Sequence, residues 1–290
     1  MIEIMSGLLG ATLNPAGAEL WSLRDQQGRQ LMTDADPAFW TGHAPLLFPI
    51  VGGLVDDRYR LRDGREFSLP RHGFARRSVF TIVEQGEDHS LFRLTESAET
   101  LAVWPFAFRF DMAYRIAGAT LATTATITNS GETAMPFSLG YHPAFAWPLP
   151  YGVDASKHRI LFDQPEPAAI RRLDAAGQVM PATEPTPVDG RTLIPAAAMF
   201  EGDAMIWDDL ASRSLLWGAP GSPNLRIDFP GMPMLGLWQK PGARHLCIEP
   251  WAGIADPVGF DGPLEDKPGI ILLPPGESRA FQMDVTLVRG

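Results

Sequence analysis

Phe106-Ala107-Phe108-Arg109-Phe110-Asp111-Met112-Ala113-Tyr114-Arg115-Ile116 is the stretch that decides the fold of this chain. Large apolar residues stand at every even position, and small or charged residues fill the gaps. A period of two puts all six large side chains on one face of a strand, whereas a helix would scatter them around its circumference. Residues 117–119 supply a turn. Residues 120–128 then alternate again and are rich in β-favouring Thr. The turn residues Asn129-Ser130-Gly131 close the unit, so it reads as a hairpin inside a longer meander.

The same grammar recurs along the chain. Residues 79–83 and 90–95 flank the polar turn 84–88. Residues 215–217 and 225–229 flank a Gly- and Pro-containing turn, and residues 281–288 alternate at the C-terminal end. Residues 164–195 are Pro- and Ala-rich and read as an extended connection with short strands. The 28 glycines and 27 prolines make up nearly a fifth of the 290 residues; ordinary usage is about 12%. Spread along the whole chain, they imply many turns and short strands. No long helical periodicity and no dividing linker stands out. The expected fold is all-β: one domain over residues 1–290, a large antiparallel β-sandwich.

The formal net charge of −10 argues against nucleic acid or an anionic membrane as a partner and is neutral toward a small molecule. One cysteine, Cys247, allows no internal disulfide. The N-terminus lacks a basic segment followed by an apolar run, and no stretch reads as a transmembrane span. A cytoplasmic location is the expectation; the oligomeric state is not legible. Gly-x-Gly, Gly-Lys-Ser/Thr, Cys-x-x-Cys, His-Glu-x-x-His and Gly-x-Ser-x-Gly are all absent. Their absence weighs against the commonest dinucleotide, P-loop, zinc-protease and serine-hydrolase classes.

Three residues in compact, unusual settings draw the chemistry together. Glu249 follows an apolar run and precedes Pro250-Trp251-Ala252-Gly253, where a strand is expected to end. A carboxylate shielded by Trp can have its pKa raised toward neutrality, which suits a general base. His72 lies in Arg71-His72-Gly73-Phe74-Ala75-Arg76, and His142 lies in Gly140-Tyr141-His142-Pro143-Ala144-Phe145. Together they read as an acid/base site assembled from distant strands. Against this stand plainer readings: a turn histidine, a core-edge histidine and a strand-end carboxylate paired with Arg. No short ligand spacing supports a metal, and none is expected. His43, His89, His158 and His245 are expected at the surface. Arg58, Arg60, Arg62, Arg65, Arg71, Arg76 and Arg77 form a basic cluster. It reads as a solvated hairpin face or as a site for an anion such as a sugar phosphate.

Five runs together resemble the aldose 1-epimerase (galactose mutarotase-like) family, in its LacX-like branch. They are Leu47-Phe48-Pro49-Ile50-Val51-Gly52, His72-Gly73-Phe74-Ala75-Arg76, Trp104-Pro105-Phe106, the 140–145 run and Ile248-Glu249-Pro250-Trp251-Ala252-Gly253. The resemblance spans nearly the whole chain and implies a galactose mutarotase-like supersandwich with a carbohydrate site on a concave face. It implies a cofactor-free isomerase acting on a small-molecule sugar. Glu249 would be the general base at the anomeric hydroxyl, His142 the general acid at the ring oxygen, and His72 a hydrogen-bonding assistant. Asp203 would match a substrate-binding aspartate; Trp251, from its adjacency to Glu249, is expected to offer a ring face to the sugar. The early Asn-Arg pair of the family is replaced by Val51-Gly52-Gly53-Leu54, and Arg76 is the candidate to take over from it. Two other functions stay open: a hexose-6-phosphate 1-epimerase, which would use the basic cluster, and a non-catalytic carbohydrate-binding or sensing protein.

Overall fold

The structure is a computed structural model that describes residues 1–289. The alternating stretch forms the strand Phe108–Ala117, which pairs antiparallel with Thr120–Asn129 across the turn at Gly118. Its even-numbered residues are buried and its odd-numbered ones are partly or fully exposed, as a period of two requires. These two strands sit inside a nine-stranded sheet. Its order is Thr192–Leu193, Arg159–Phe162, Ser214–Gly218, Asn224–Asp228, Ser278–Val288, Thr120–Asn129, Phe108–Ala117, His89–Thr95 and Thr81–Gln85.

A second sheet of eight strands holds Glu249 and Trp251. Its order is Val179–Glu184, Ile170–Leu173, Met205–Trp207, Met234–Trp238, His245–Ala252, Leu139–Tyr141 and Leu46–Leu47; Ala144–Ala146 also pairs with His245–Ala252. Every pairing in both sheets is antiparallel, and the all-β sandwich expected from the sequence is what forms. The only α-helix among the described residues is the short Ala98–Val103, held by a Ser97–Thr100 capping box. No helix among them is long and apolar enough to cross a membrane.

Aromatic side chains from segments flanking the eight-stranded sheet pack onto the nine-stranded one. Phe48 packs against Phe108 and Phe110 at ring separations of 5.3 and 5.2 Å, and Phe137 meets Phe281 edge-on at 6.0 Å. Tyr141, fully inside, donates its O–H to the Phe281 carbonyl and accepts from the Ala125 N–H, so its polar tip is satisfied within the core.

The eight-stranded sheet divides its side chains cleanly. Along His245–Ala252, Leu246, Ile248 and Ala252 join the main core. The alternate residues His245, Cys247, Glu249 and Trp251 point to the opposite face, where a smaller apolar cluster includes Leu47, Val51, Ile206 and Trp251. The strand was expected to end at Glu249, but it runs on through Pro250 to Ala252. Proline is tolerated there because the ladder on one side is interrupted: Leu139–Tyr141 and Ala144–Ala146 are separate pairings, with His142 and Pro143 between them.

Candidate active site

A cleft of about 250 Å³ opens on the outer face of the eight-stranded sheet. Its wall includes every residue singled out from the sequence, namely His72, Arg76, His142, Asp203, Glu249 and Trp251. It also includes Trp40, Arg71, Leu173, Ile206 and Trp238.

Glu249 and His142 form its centre. The pairings Gly140 with Trp251 and Ala144 with Cys247 share one register, and carrying it through the gap sets His142 directly opposite Glu249. The Nε2 to Oε2 distance is 3.3 Å, and Glu249 is only 2% exposed. Burial drives the Glu249 carboxyl well above its ordinary value; the nearby Asp203 adds to this, while the Trp251 indole and Arg71 oppose it. Burial also lowers His142, to about 3. Both shifts have the same cause: water is absent, and each charged form loses its hydration. Other charges, Arg76 and His245 first among them, disfavour the imidazolium further.

Trp251 is the floor. Its indole lies over two glycines of the flanking strands. A Cβ on Gly140 would sit 2.6 Å from Trp251 Cδ1, and one on Gly236 would sit 2.5 Å from Cη2. Only glycine at both positions leaves room for the flat ring. Among the described residues, neither the indole Nε1 nor His142 Nδ1 has a hydrogen-bond partner in good geometry, although the indole lies near enough to the Glu249 carboxyl to favour its charged form.

His72 reaches the cleft through a strained corner. Both His72 and Gly73 have positive φ, 67° and 66°. A Cβ on Gly73 would lie 2.3 Å from the Phe48 carbonyl oxygen, which accepts from the Phe74 and Ala75 N–H groups. This close approach locks the His72–Arg76 run onto the 47–52 run. The Gly52 N–H donates to His72 Nδ1 at 3.0 Å, so the remaining proton sits on Nε2. Burial, with His142 as the next cause, holds His72 well below its usual range. It is therefore a neutral hydrogen-bond donor with a fixed tautomer. Its ring stands 5.9 Å from that of His142, nearly perpendicular.

Asp203 also adopts positive φ, 67°, at the entry to the strand Met205–Trp207, and its Oδ1 accepts from the Ala204 N–H at 2.7 Å. Elsewhere on the wall, Trp40 stacks on His142 at 5.3 Å and 25°, and Trp238 meets His142 edge-on at 6.0 Å. Neither tryptophan was found from the sequence, since each sits outside any compact motif. Arg71 was within reach, because it directly precedes His72. Cys247 was missed too: its sulfur, a His142 nitrogen and a Glu249 oxygen all lie within 4.8 Å of one another.

The histidines expected at the surface need correcting. His43, His158 and His245 are all buried. His43 tilts against Trp21 at 3.8 Å, His158 Nε2 accepts the Leu149 N–H, and His245 Nδ1 contacts the Thr33 hydroxyl at 3.3 Å. Only His245 lies in a strand; His43 and His158 are in connecting segments and are buried by the contacts just named. His89 alone is partly exposed, bridging Asp88 and Glu84. The arginine cluster also splits. Arg58 and Arg60 lie on the hairpin formed with Glu66–Ser68, Arg62 and Arg65 pair with Asp266 and Asp63, and Arg71 and Arg76 alone reach the cleft.

A mostly antiparallel β-sandwich with an imidazole–carboxyl pair in an aromatic-walled cleft defines a galactose mutarotase-like protein of the isomerase class. The chain belongs to the aldose 1-epimerase family, whose model matches residues 1–285. It is 31% identical over 296 aligned residues to the chromosomal protein LacX of Lactococcus lactis subsp. lactis, with 99% of each chain covered. Among solved structures it is similar to a galactose mutarotase related enzyme from Lactobacillus acidophilus. That match has a TM-score of 0.90 and 28% identity, covering 99% of this chain and 96% of the other. A galactose mutarotase-like protein from Lactobacillus casei gives a TM-score of 0.89 at 26% identity, covering 99% of this chain and all of the other.

Proposed function

We propose that this protein interconverts the α and β anomers of an aldohexose. The observation that carries this reading is the buried His142–Glu249 pair, 3.3 Å apart on the wall of a sugar-sized cleft. Anomer exchange needs one base and one acid at once. The anomeric hydroxyl loses its proton and the ring oxygen gains one; the C1–O5 bond breaks to give the open aldehyde; rotation about C1–C2 and reclosure yield the other anomer. Protons and electrons balance without any cofactor.

Burial favours the uncharged pair, with one proton shared between the two side chains and carried by Glu249 in the empty cleft. Moving that proton to His142 creates a carboxylate base and an imidazolium acid in one step. Sugar hydroxyls entering the cleft supply hydrogen bonds to both charged forms, replacing the hydration that burial removed. Glu249 then takes the anomeric proton while His142 protonates the ring oxygen. His72 Nε2–H donates to the sugar beside them, Trp251 faces the apolar side of the ring, and Asp203 accepts from a hydroxyl. Positioned acid and base groups typically contribute 10²–10⁴-fold in rate.

The test is polarimetry on freshly dissolved α-galactose and α-glucose, after subtracting spontaneous mutarotation, with wild type and Glu249→Gln in parallel. Acceleration that disappears in the variant supports the proposal. Equal acceleration by both proteins would remove Glu249 from the mechanism.

A further inference from the structure

Cys247 is a free, fully buried thiol that the acid/base chemistry does not use. It sits two residues before Glu249 on one strand, so both side chains leave the same face. In a helix the two would point apart. Ala144 pairs with Cys247, and His142, two residues before Ala144, stands opposite Glu249. Cys247 and His142 are therefore diagonal neighbours, which lie within reach of each other across a ladder. Among the described residues, a sulfur, a nitrogen and a carboxyl oxygen thus converge within 4.8 Å of one another.

Two nitrogen or oxygen ligands of a tetrahedral zinc, each at about 2.0–2.1 Å, stand about 3.3 Å apart, and a thiolate at about 2.3 Å stands about 3.6 Å from each. His142 Nε2 and Glu249 Oε2 already stand 3.3 Å apart, so only the sulfur remains to be drawn in. Thiolate, imidazole and carboxylate together suit Zn²⁺, Co²⁺ and Cd²⁺ and not the hard Mg²⁺ or Ca²⁺. One dication against a thiolate and a carboxylate makes a neutral centre, the form that a site without water tolerates best. Trp40 and Trp238 flank the imidazole and shield that centre. His142 Nδ1 has no partner in good geometry, so the imidazole lacks the outer anchor that tight zinc sites give their ligands. Such a site loads and unloads with the free metal concentration.

We propose that Cys247, His142 and Glu249 form a reversible, inhibitory site for a zinc-like divalent cation. The metal is not a cofactor here. It takes the lone pairs of His142 and Glu249, the same ones that would move protons at the sugar, and so switches the cleft off while it is bound. The thiol protons and carboxyl protons it displaces pass to solvent, and its fourth position is left to water. Metal binding stands apart from the epimerase reading; only the inhibition rests on that reading. Cys247 is thereby given a role: without its sulfur the pair offers two ligands, too few to hold the ion.

The experiment titrates chelator-treated protein with ZnCl₂ by calorimetry and with CoCl₂ by absorption spectroscopy. The proteins are wild type, Cys247→Ala and His89→Ala, with folding checked by circular dichroism. His89, between Asp88 and Glu84, is the exposed competitor for a metal. The expected result is a thiolate-to-Co²⁺ charge-transfer band in wild type, and Zn²⁺ binding that weakens about tenfold or more in Cys247→Ala and is unchanged in His89→Ala. No such band in wild type overturns the proposal, and this arm needs no variant to fold. Binding kept in Cys247→Ala and lost in His89→Ala also overturns it. Polarimetry on α-galactose then tests the inhibition: Zn²⁺ is expected to slow wild type, EDTA to restore it and Mg²⁺ to leave it unchanged. Undiminished exchange by the Zn²⁺-saturated enzyme overturns the inhibitory role. If no sugar is accelerated at all, the epimerase reading fails, and the Co²⁺ spectrum and the calorimetry still decide the metal site.

Discussion

His142 stands opposite Glu249 across a gap in an antiparallel ladder, with Nε2 3.3 Å from Oε2. The gap is what makes the pair possible. On either side of it the backbone pairs normally, so both side chains are fixed by the sheet. At the gap itself the chain turns through Pro143, whose carbonyl accepts the Ile248 N–H. Glu249 lies within the strand His245–Ala252 and His142 between two short strands paired to it, and Trp40 stacked on the imidazole helps to keep their separation short.

Removing either member is expected to lower kcat for anomer exchange by about 10²–10⁴-fold. Glu249→Gln keeps the shape and loses the base; His142→Asn loses the acid. Because the two act as a unit, the double variant is expected to be little worse than either single one. Strictly multiplicative losses, measured by polarimetry, would argue that they act separately.

The pH dependence follows from the directions of the shifts. The working pair holds one proton. His142 is lowered to about 3, so a second proton is resisted on the acid side, and the raised Glu249 resists losing the first on the alkaline side. The rate profile is expected to be a broad plateau across neutrality, wider than a free imidazole and carboxylate would give. A narrow bell centred on the ordinary histidine value would contradict the shared-proton account.

Stability has its own pH signature. His245 is lowered to about 4 by burial, so the unfolded chain binds a proton there more readily than the folded one. Its contribution to stability is complete above about 6.5 and is lost as pH falls toward about 4. Thermal unfolding between pH 7 and pH 4 is expected to show a smaller decline for His245→Gln than for wild type. Parallel curves would mean that His245 does not titrate on unfolding.

The glycines beneath Trp251 are expected to be intolerant. Gly236→Ala places a methyl 2.5 Å from the indole, so the ring must tilt into the cleft. A cost of about 1–3 kcal/mol is expected from denaturant midpoints. The Michaelis constant should rise with it, because the floor moves. An unchanged midpoint would show that the indole has room to spare.

Beneath the Gly52 segment, Lys267 and Asp256 form a buried ion pair at 3.2 Å, and Asp256 also accepts the Val55 N–H at 2.9 Å. Lys267→Ala strands that carboxylate and is expected to cost about 3–5 kcal/mol. Lys267→Met with Asp256→Asn is expected to recover much of it in chemical unfolding. No recovery would place the stability in the lysine's packing and not in its charge.

The strands were legible because their side chains alternate. Residues 106–116 carry the pattern openly, and the hairpins on either side follow from Gly, Pro and Asn at the turns. His72, His142 and Glu249 were legible because each sits in a short run of unusual residues. What stayed hidden depends on distance in sequence. Trp40 and Trp238 have ordinary neighbours and meet His142 only after folding. His43 and His158 lie outside the strands and are buried by tertiary contacts, with Trp21 and with the Leu149 N–H, while His245 takes its burial from the strand it begins. Glu249 was placed at a strand end because proline usually terminates a ladder; here the neighbouring strand had already broken off. The split of the arginine cluster depended on where Asp63 and Asp266 lie, and Asp266 is far away in the chain.

The face assignment of the strand His245–Ala252 ties correct folding to correct chemistry. A slip of one residue in its pairing would bury Glu249 and His245 in the main core and turn Leu246 and Ile248 outward. Such a molecule would strand a carboxyl and an imidazole in hydrocarbon and expose large apolar side chains, so it would not persist. Stable copies of this protein therefore carry the His142–Glu249 pair in place. The hydrophobic core serves as the proofreader of the cleft on its other side.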